Sequence, residues 1–182
     1  MSWFEASARV PLLISYPKLI KPRVINECVS SMDLLPTLVE LVGSSVDSRL
    51  PLDGKSLVPY LHGSSSPNTV YGEYAGEGTI APYMMIRRGA WKFIICPADP
   101  LQLYNLESDP QELVNLAINP RIGAEQSVLS QFVAEAEARW DFAKIHAEVL
   151  RSQRARRLCW SALKLGRFES WDYQPQDDAT AK

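Results

Sequence analysis

The sequence has little of the chemistry from which disulfide-bonded folds and metal sites are built. Its 182 residues include three cysteines and two histidines. Cys28, Cys96 and Cys159 are far apart and form neither a CxxC pair nor a disulfide framework, which predicts free, inert thiols in a reducing cytoplasm. Neither His62 nor His146 has a metal-ligand partner at a useful spacing. We therefore expect no disulfide and no metal site within this chain.

Long apolar runs and an excess of one charge are also absent. No stretch approaches the roughly 20 apolar residues that span a bilayer, and no signal peptide is visible at the N-terminus. The formal net charge of -2 gives no electrostatic reason to expect nucleic acid or a membrane as partner. The arginines within residues 151–157 are therefore interpreted as a solvated or inter-subunit surface. These features predict a soluble, globular, cytoplasmic protein.

Residues 101–117 form the clearest landmark in the sequence. A short alternating apolar run leads into Asp109 and Pro110, a turn pair. Pro110 suits the first position of a helix, Asp109 suits the cap before it, and Glu112 completes a capping box. The pattern predicts a strand, a tight turn and a helix start, with β-rich sequence before it and helical sequence after it.

The rest of the chain supplies a small sheet and its cover. Strands are predicted at residues 70–74, 83–88, 91–95 and 101–105, with Gly89-Ala90 as a hairpin turn. After Pro120 the chain is expected to be helical to about Leu165, and a stripe on the first of these helices packs on the sheet. The members of that stripe are Val128, Phe132, Ala136 and Trp140.

The first third is expected to be the remainder of a larger domain. Residues 10–17, an apolar run between prolines, predict a buried strand that lacks neighbours. Residues 30–43 predict a helix with a buried leucine-rich stripe that ends at Gly43. The fold class is therefore α+β, with an antiparallel sheet of about four strands, a long covering helix, and a leftover strand and helix. The expected divisions are residues 1–66, 67–122, 123–166 and a tail, 167–182.

Four segments of this chain resemble type I sulfatases, in family order: residues 3–14, 32–38, 52–57 and 103–117. This resemblance implies an alkaline-phosphatase-like parent fold that uses calcium and a formylglycine, made from cysteine in a Cys-x-Pro-x-Arg signature. None of the three cysteines here lies in that signature. The resemblance thus implies no catalytic residue and no metal ligand in this chain, and a C-terminal fragment of a longer enzyme in which Met1 is internal.

The last third is similar to a tail peculiar to choline-sulfatases, through residues 139–141, 146–147, 152–157 and 171–175. That resemblance implies hydrolysis of choline sulfate to choline and sulfate, and homo-oligomer contacts through the helices and tail. Two alternatives remain open. One is another type I sulfatase or a phosphonate monoester hydrolase, and the other is a non-catalytic assembly module.

A trimethylammonium group donates no hydrogen bonds, so a protein binds it with aromatic faces and a carboxylate. Glu77 is the predicted substrate-binding residue, because it lies in a glycine-flanked loop between two strands, to which the resemblance also points. Glu73 is the second choice, and Tyr74 or Tyr83 is expected to add a ring face. The alternative interpretation of Glu77 is a solvated loop carboxylate.

Overall fold

A computed structural model of the chain describes residues 2–45, 47, 49, 51–64, 66–76 and 78–166. The chain divides into two compact units, Met1–Phe142 and Ala143–Lys182. Five α-helices and four strands lie in the described residues: α1 Glu5–Ala8, α2 Leu34–Leu41, α3 Val58–Leu61, β1 Thr69–Tyr74, β2 Tyr83–Arg88, β3 Trp91–Ile95, β4 Gln102–Asn105, α4 Ala124–Arg139 and α5 Phe142–Leu163.

The sheet of the first unit is antiparallel, with its strands in the order β1-β2-β3-β4. The four predicted strands are confirmed to within one residue. Gly89 and Ala90 form the two-residue turn between β2 and β3, and Gly89 has a φ of 52°. Such tight hairpin turns use positive φ because their backbone twist then matches that of the strands.

Helix α4 covers one face of this sheet. Phe132 stacks on Phe93 of β3, with ring centroids 5.8 Å apart and planes 11° apart. Phe132, Ala136 and Trp140 are buried, as expected for the apolar stripe of a helix on a sheet. The predicted packing stripe is confirmed at these three positions.

The opposite face carries an N-terminal segment. Trp3 and Phe4 pack against a buried cluster that contains Met85, Ile94 and Tyr104. Gly72 of β1 lies directly under the Trp3 ring, and a Cβ at that position would come within 2.7 Å of ring carbons. Because side chains alternate between the two faces of a strand, this cluster and α4 share the sheet without touching the same residues.

The predicted helix start at Asp109 is wrong. Residues 109–119 form turns, and the next helix is α4 at Ala124. Glu112 has a φ of 56°, which interrupts an α-helix. Asp109 Oδ2 instead accepts a hydrogen bond from the Val114 N–H at 2.8 Å, and backbone N–H groups from Val114 and Leu113 lower the pKa of this carboxyl.

The predicted strand at residues 10–17 is also wrong. These residues pair with no strand in the described part of the chain, and Leu13 is 95% exposed. The helix predicted at residues 30–43 is present as a 3-10 turn, Ser31–Asp33, followed by α2. Its expected buried stripe is not buried, since Leu35, Leu38 and Val42 are exposed. Both differences share one feature: the apolar side chains of these segments remain exposed to solvent.

Polar groups, not leucines, hold α2 in place. The Asp33 carboxylate accepts hydrogen bonds from the Ser30 N–H and the Lys55 N–H, each at 2.8 Å. Thr37 Oγ1 donates to the Asp33 carbonyl at 2.5 Å and accepts from the Leu57 N–H at 2.8 Å. Asp33 and Thr37 are both buried. These bonds join two segments that are about 20 residues apart in sequence.

The second unit consists, in its described residues, of nearly all of α5 and the turn that ends it. None of the residues Phe142–Leu163 is buried. No helix in the described residues is both long enough and apolar enough to cross a membrane.

Thr37→Val should lower the free energy of unfolding by about 1–3 kcal/mol, because it leaves the Leu57 N–H buried without a partner. Thr79→Val is the matched control, since Thr79 makes one exposed hydrogen bond to the Gly76 carbonyl and should change stability by less than about 0.5 kcal/mol. Urea unfolding monitored by circular dichroism measures both. Equal losses in the two variants would contradict the role given to Thr37.

Candidate functional site

The predicted substrate-binding residue Glu77 lies outside the described residues, so its placement stays a prediction. The structure does describe the strands on either side of its loop. Tyr74 ends β1, Tyr83 begins β2, and the two are paired across the strands. Alternation along β1 places Tyr74 on the same face as Gly72, the face that carries Trp3.

Trp3 adds a third aromatic residue at this end of the sheet. Its indole Nε1 donates a hydrogen bond to the Tyr83 carbonyl at 3.0 Å, and the two rings have centroids 6.2 Å apart. Burial raises the pKa of the Tyr83 phenol, which therefore stays neutral at physiological pH. A loop carboxylate beside such rings has the chemistry that recognises a quaternary ammonium. Sequence reasoning missed Trp3 because nothing local links it to a strand 80 residues away.

Glu73, the second choice, faces the other way. Its Oε1 accepts a hydrogen bond from Trp140 Nε1 at 2.7 Å, which ties β1 to the end of α4. Its neighbour on that face, Tyr71, lies edge-on to Trp140, and the Arg139 guanidinium lies 3.9 Å from the Tyr71 ring centroid. Glu73 therefore serves the contact between helix and sheet, on the face opposite Tyr74.

A second polar group on the helix face has perturbed ionisation. Glu135 of α4 accepts hydrogen bonds from the Tyr71 hydroxyl at 2.7 Å and from Arg88 Nη2 at 2.7 and 2.8 Å. Burial disfavours the charged form of Glu135, but the bonds from Tyr71 and Arg88 outweigh it and hold its pKa below the usual value. Burial, then the bond to Glu135, raises the pKa of Tyr71. This arrangement fixes α4 on β1.

Among the residues that the structure describes, the most buried charge lies on the Trp3 face. Lys92 of β3 is 1% exposed, and its Nζ donates a hydrogen bond to the Trp3 carbonyl at 2.8 Å. The same Nζ lies 2.6 Å from Glu5 Oε1 and 2.7 Å from Glu112 Oε1. Among the described residues, no hydrogen-bond donor is aligned on Glu112 Oε1, so that contact is an ion pair. Sequence reasoning missed this cluster, although a lysine within a run of buried strand residues was a usable signal.

Clustered metal ligands and the state of the cysteines can be read from the described residues. In the part of the chain that the structure describes, no three His, Cys, Asp or Glu side chains are grouped in a way that holds an ion. The described residues therefore offer no complete ligand set for the calcium that the sulfatase resemblance implies. All three cysteines are free. Cys28 Sγ donates to the Asn68 carbonyl at 3.2 Å, Cys96 is buried and Cys159 is exposed.

Comparison with known proteins identifies the class. A family model described as N-sulphoglucosamine sulphohydrolase, C-terminal, matches residues 2–139, and a second, choline sulfatase enzyme C terminal, matches residues 147–182. The chain belongs to the sulfatase family and corresponds to its C-terminal region. The crystal structure of Ps i-CgsB is 27% identical over 65% of this chain and 26% of its own, with a TM-score of 0.50.

Individual relatives are more specific. The choline-sulfatase of Rhizobium meliloti (strain 1021) is 42% identical over 183 residues, which covers all of this chain and 36% of that enzyme. Arylsulfatase K of Xenopus laevis is 34% identical over 130 residues, 64% of this chain and 24% of that enzyme. The chain thus spans about a third of the length of the choline-sulfatase, and its likeness to that enzyme extends through the C-terminal tail.

Glu135→Gln should lower the free energy of unfolding at neutral pH by about 1 kcal/mol, because it weakens the bonds to Arg88 and Tyr71. The lowered pKa of Glu135 means that its ionised form stabilises the fold above the usual value of 4.5, and that this contribution is lost as the pH falls through the folded-state pKa. The variant should therefore lose stability less steeply under acid. Urea unfolding from neutral pH to about pH 3 tests this. Glu137→Gln, an exposed change on the same helix, should keep the wild-type profile.

Proposed function

We propose that this chain is the C-terminal part of an enzyme that hydrolyses choline sulfate to choline and sulfate in the cytoplasm. The observation that carries the proposal is the 42% identity to a choline-sulfatase along the whole chain, with the tail at 147–182 matched by the choline-sulfatase C-terminal model. The two relatives named arylsulfatase K from Xenopus laevis and Homo sapiens match only 64% and 65% of the chain. This favours the choline-sulfatase assignment over a general sulfatase. The three free cysteines agree with a reducing compartment.

The chemistry and the substrate contact belong to different parts of the parent enzyme in this proposal. The formylglycine and calcium that the family implies would supply the hydrolytic chemistry in the rest of the parent enzyme, since the described residues here group no metal ligands. This chain supplies the contact with the cationic end. Glu77 provides the carboxylate and Tyr74 and Tyr83, at the base of its loop, provide ring faces.

The substrate contact can be tested in a hybrid enzyme in which these 182 residues replace the matching C-terminal part of the Rhizobium meliloti choline-sulfatase. The hybrid should hydrolyse choline sulfate. Glu77→Gln in this hybrid should raise the KM for choline sulfate about tenfold, because the trimethylammonium loses its counter-charge. The KM for an uncharged aryl sulfate should not change, since that substrate has no cation to hold.

Glu73→Gln, which changes a nearby carboxylate in β1, is the matched control. It should leave both KM values unchanged and lower stability, because Glu73 bonds Trp140 on the helix face. A Glu77→Gln hybrid with an unchanged KM for choline sulfate would remove Glu77 from the site. Hydrolysis of aryl sulfate but not choline sulfate by the unmutated hybrid would favour another type I sulfatase.

We further propose that the parent enzyme is a homo-oligomer with contacts through α5 and the tail. Helix α5 has 22 residues and none is buried. Trp160 and Leu163 are 52% and 55% exposed and lie on the same side of the helix as Ile145 and Val149. An apolar side of this length on an exposed helix is typical of a subunit contact.

Trp160→Glu with Leu163→Glu in the 182-residue chain should dissociate the oligomer, because each change puts a charge into the proposed apolar contact. Leu158→Glu is the matched control: Leu158 is 72% exposed and lies on the far side of the helix. Multi-angle light scattering gives the mass of each variant. A wild-type chain that is monomeric at high concentration would refute the contact.

A further inference from the structure

Lys92, Glu5 and Glu112 form a closed ring of contacts. Lys92 Nζ contacts a carboxylate oxygen of each glutamate, at 2.6 and 2.7 Å. The ring is completed between the glutamates, because the Glu5 N–H donates a hydrogen bond to Glu112 Oε2 at 2.6 Å. Each of the three residues therefore touches both of the others. They come from three separate parts of the sequence: α1, β3 and the turn at residues 109–114.

Charge makes this ring depend on the lysine. One buried ammonium faces two carboxylates, and the side chains of Lys92 and Glu112 are 1% and 2% exposed. Without the lysine, two carboxylates would face each other in an apolar setting, where like charges strongly oppose joint ionisation. Loss of one glutamate breaks the ring and leaves the ammonium with a single carboxylate, whereas loss of the lysine leaves two carboxylates with no cation. Loss of Lys92 is therefore the most damaging single change.

The ring also accounts for a strained backbone. Glu112 has a φ of 56°, a left-handed conformation that costs a residue with a Cβ about 1 kcal/mol. Such strain persists where the surroundings hold the residue in place. Here the Glu112 carboxylate reaches Lys92 and the Glu5 N–H from a turn, and the capped helix that the local sequence favours does not form.

Trp3 also holds the first few residues on this face, through two hydrogen bonds. The Trp3 carbonyl accepts from Lys92, and the Trp3 indole donates to the Tyr83 carbonyl. Helix α1 itself has only four residues and no side-chain cap, so it is too short to be stable alone. Its position must come from the contacts made by Trp3, Phe4 and Glu5.

We propose that Lys92, Glu5 and Glu112 act as an ionic latch, a conformational device that couples two segments lying 107 residues apart. When the latch is closed, residues 3–9 are held on the sheet and the turn at 109–114 is held in its left-handed form. Opening at either glutamate releases both segments, while the sheet under them stays folded. Lys92 is the positioning residue of this device, and through it Trp3 is held beside Tyr83.

Hydrogen–deuterium exchange of the 182-residue chain tests the coupling. In Glu112→Gln, the amides of residues 7–9, which bond to Phe4 and Glu5 carbonyls, should exchange about tenfold faster, and amides of β2 and β3 should be unchanged. Glu5→Gln should in turn release the Val114 amide, which bonds Asp109. Glu125→Gln, at an exposed pair with Arg121, is the control and should leave both segments at the wild-type rate.

The double variant distinguishes a latch from two separate contacts. If the three residues act as one unit, Glu5→Gln with Glu112→Gln should accelerate residues 7–9 no more than either change alone. Multiplying rate increases would show independent contacts and overturn the proposal. Unchanged exchange at residues 7–9 in Glu112→Gln would overturn it as well, as would equal acceleration of every amide. Lys92→Met should release both segments. If that variant does not fold, the glutamate variants alone test the coupling.

Discussion

A lysine ammonium inside one face of a β-sheet is the constraint on which this structure depends. Lys92 lies in β3, where the next two residues pack in the core. Because water is excluded there, other charged groups must compensate the charge of the ammonium. The compensation comes from two distant segments of the unit, through Glu5 and Glu112. Removing one partner from a buried pair typically costs about 3–5 kcal/mol, far more than an exposed pair contributes. One side chain thus decides where the N-terminal segment lies and why the turn after β4 has its unusual backbone.

The alternation of side chains along β1 separates two chemical roles. Tyr71 and Glu73 face α4 and bond Glu135 and Trp140, so the strand holds the helix. Gly72 faces the opposite side, under the Trp3 ring, and Tyr74 follows it on that side. A one-residue shift in the pairing of β1 would exchange these roles. The paired register from Thr69 to Tyr74 therefore places Tyr74, the last residue of β1, on the face of the sheet that carries Trp3.

The sheet and α4 could be predicted because their signals are local. Gly89-Ala90 between two apolar runs defines the hairpin, and the spacing of Phe132 and Ala136 defines one helix face. The helix expected at Asp109 did not form, because a contact between Glu112 and Lys92 outweighed a local capping pattern. The contact of Trp3 with Tyr83 was missed for the same reason. Contacts between distant segments have no periodicity in sequence, so no local pattern predicts them.

Selectivity, more than affinity, is the contribution expected from a carboxylate in the Glu77 loop. An exposed carboxylate attracts a cation only weakly in water, and the attraction grows when aromatic rings exclude solvent. Ordering a loop with glycines on both sides of Glu77 costs conformational entropy, which offsets part of that gain. A counter-charge in the proposed site would nevertheless penalise any substrate that brings an anion to the same place. In the proposed role, a Glu77 carboxylate beside the rings of Tyr74 and Tyr83 would therefore discriminate cationic from neutral esters better than it would tighten binding of either.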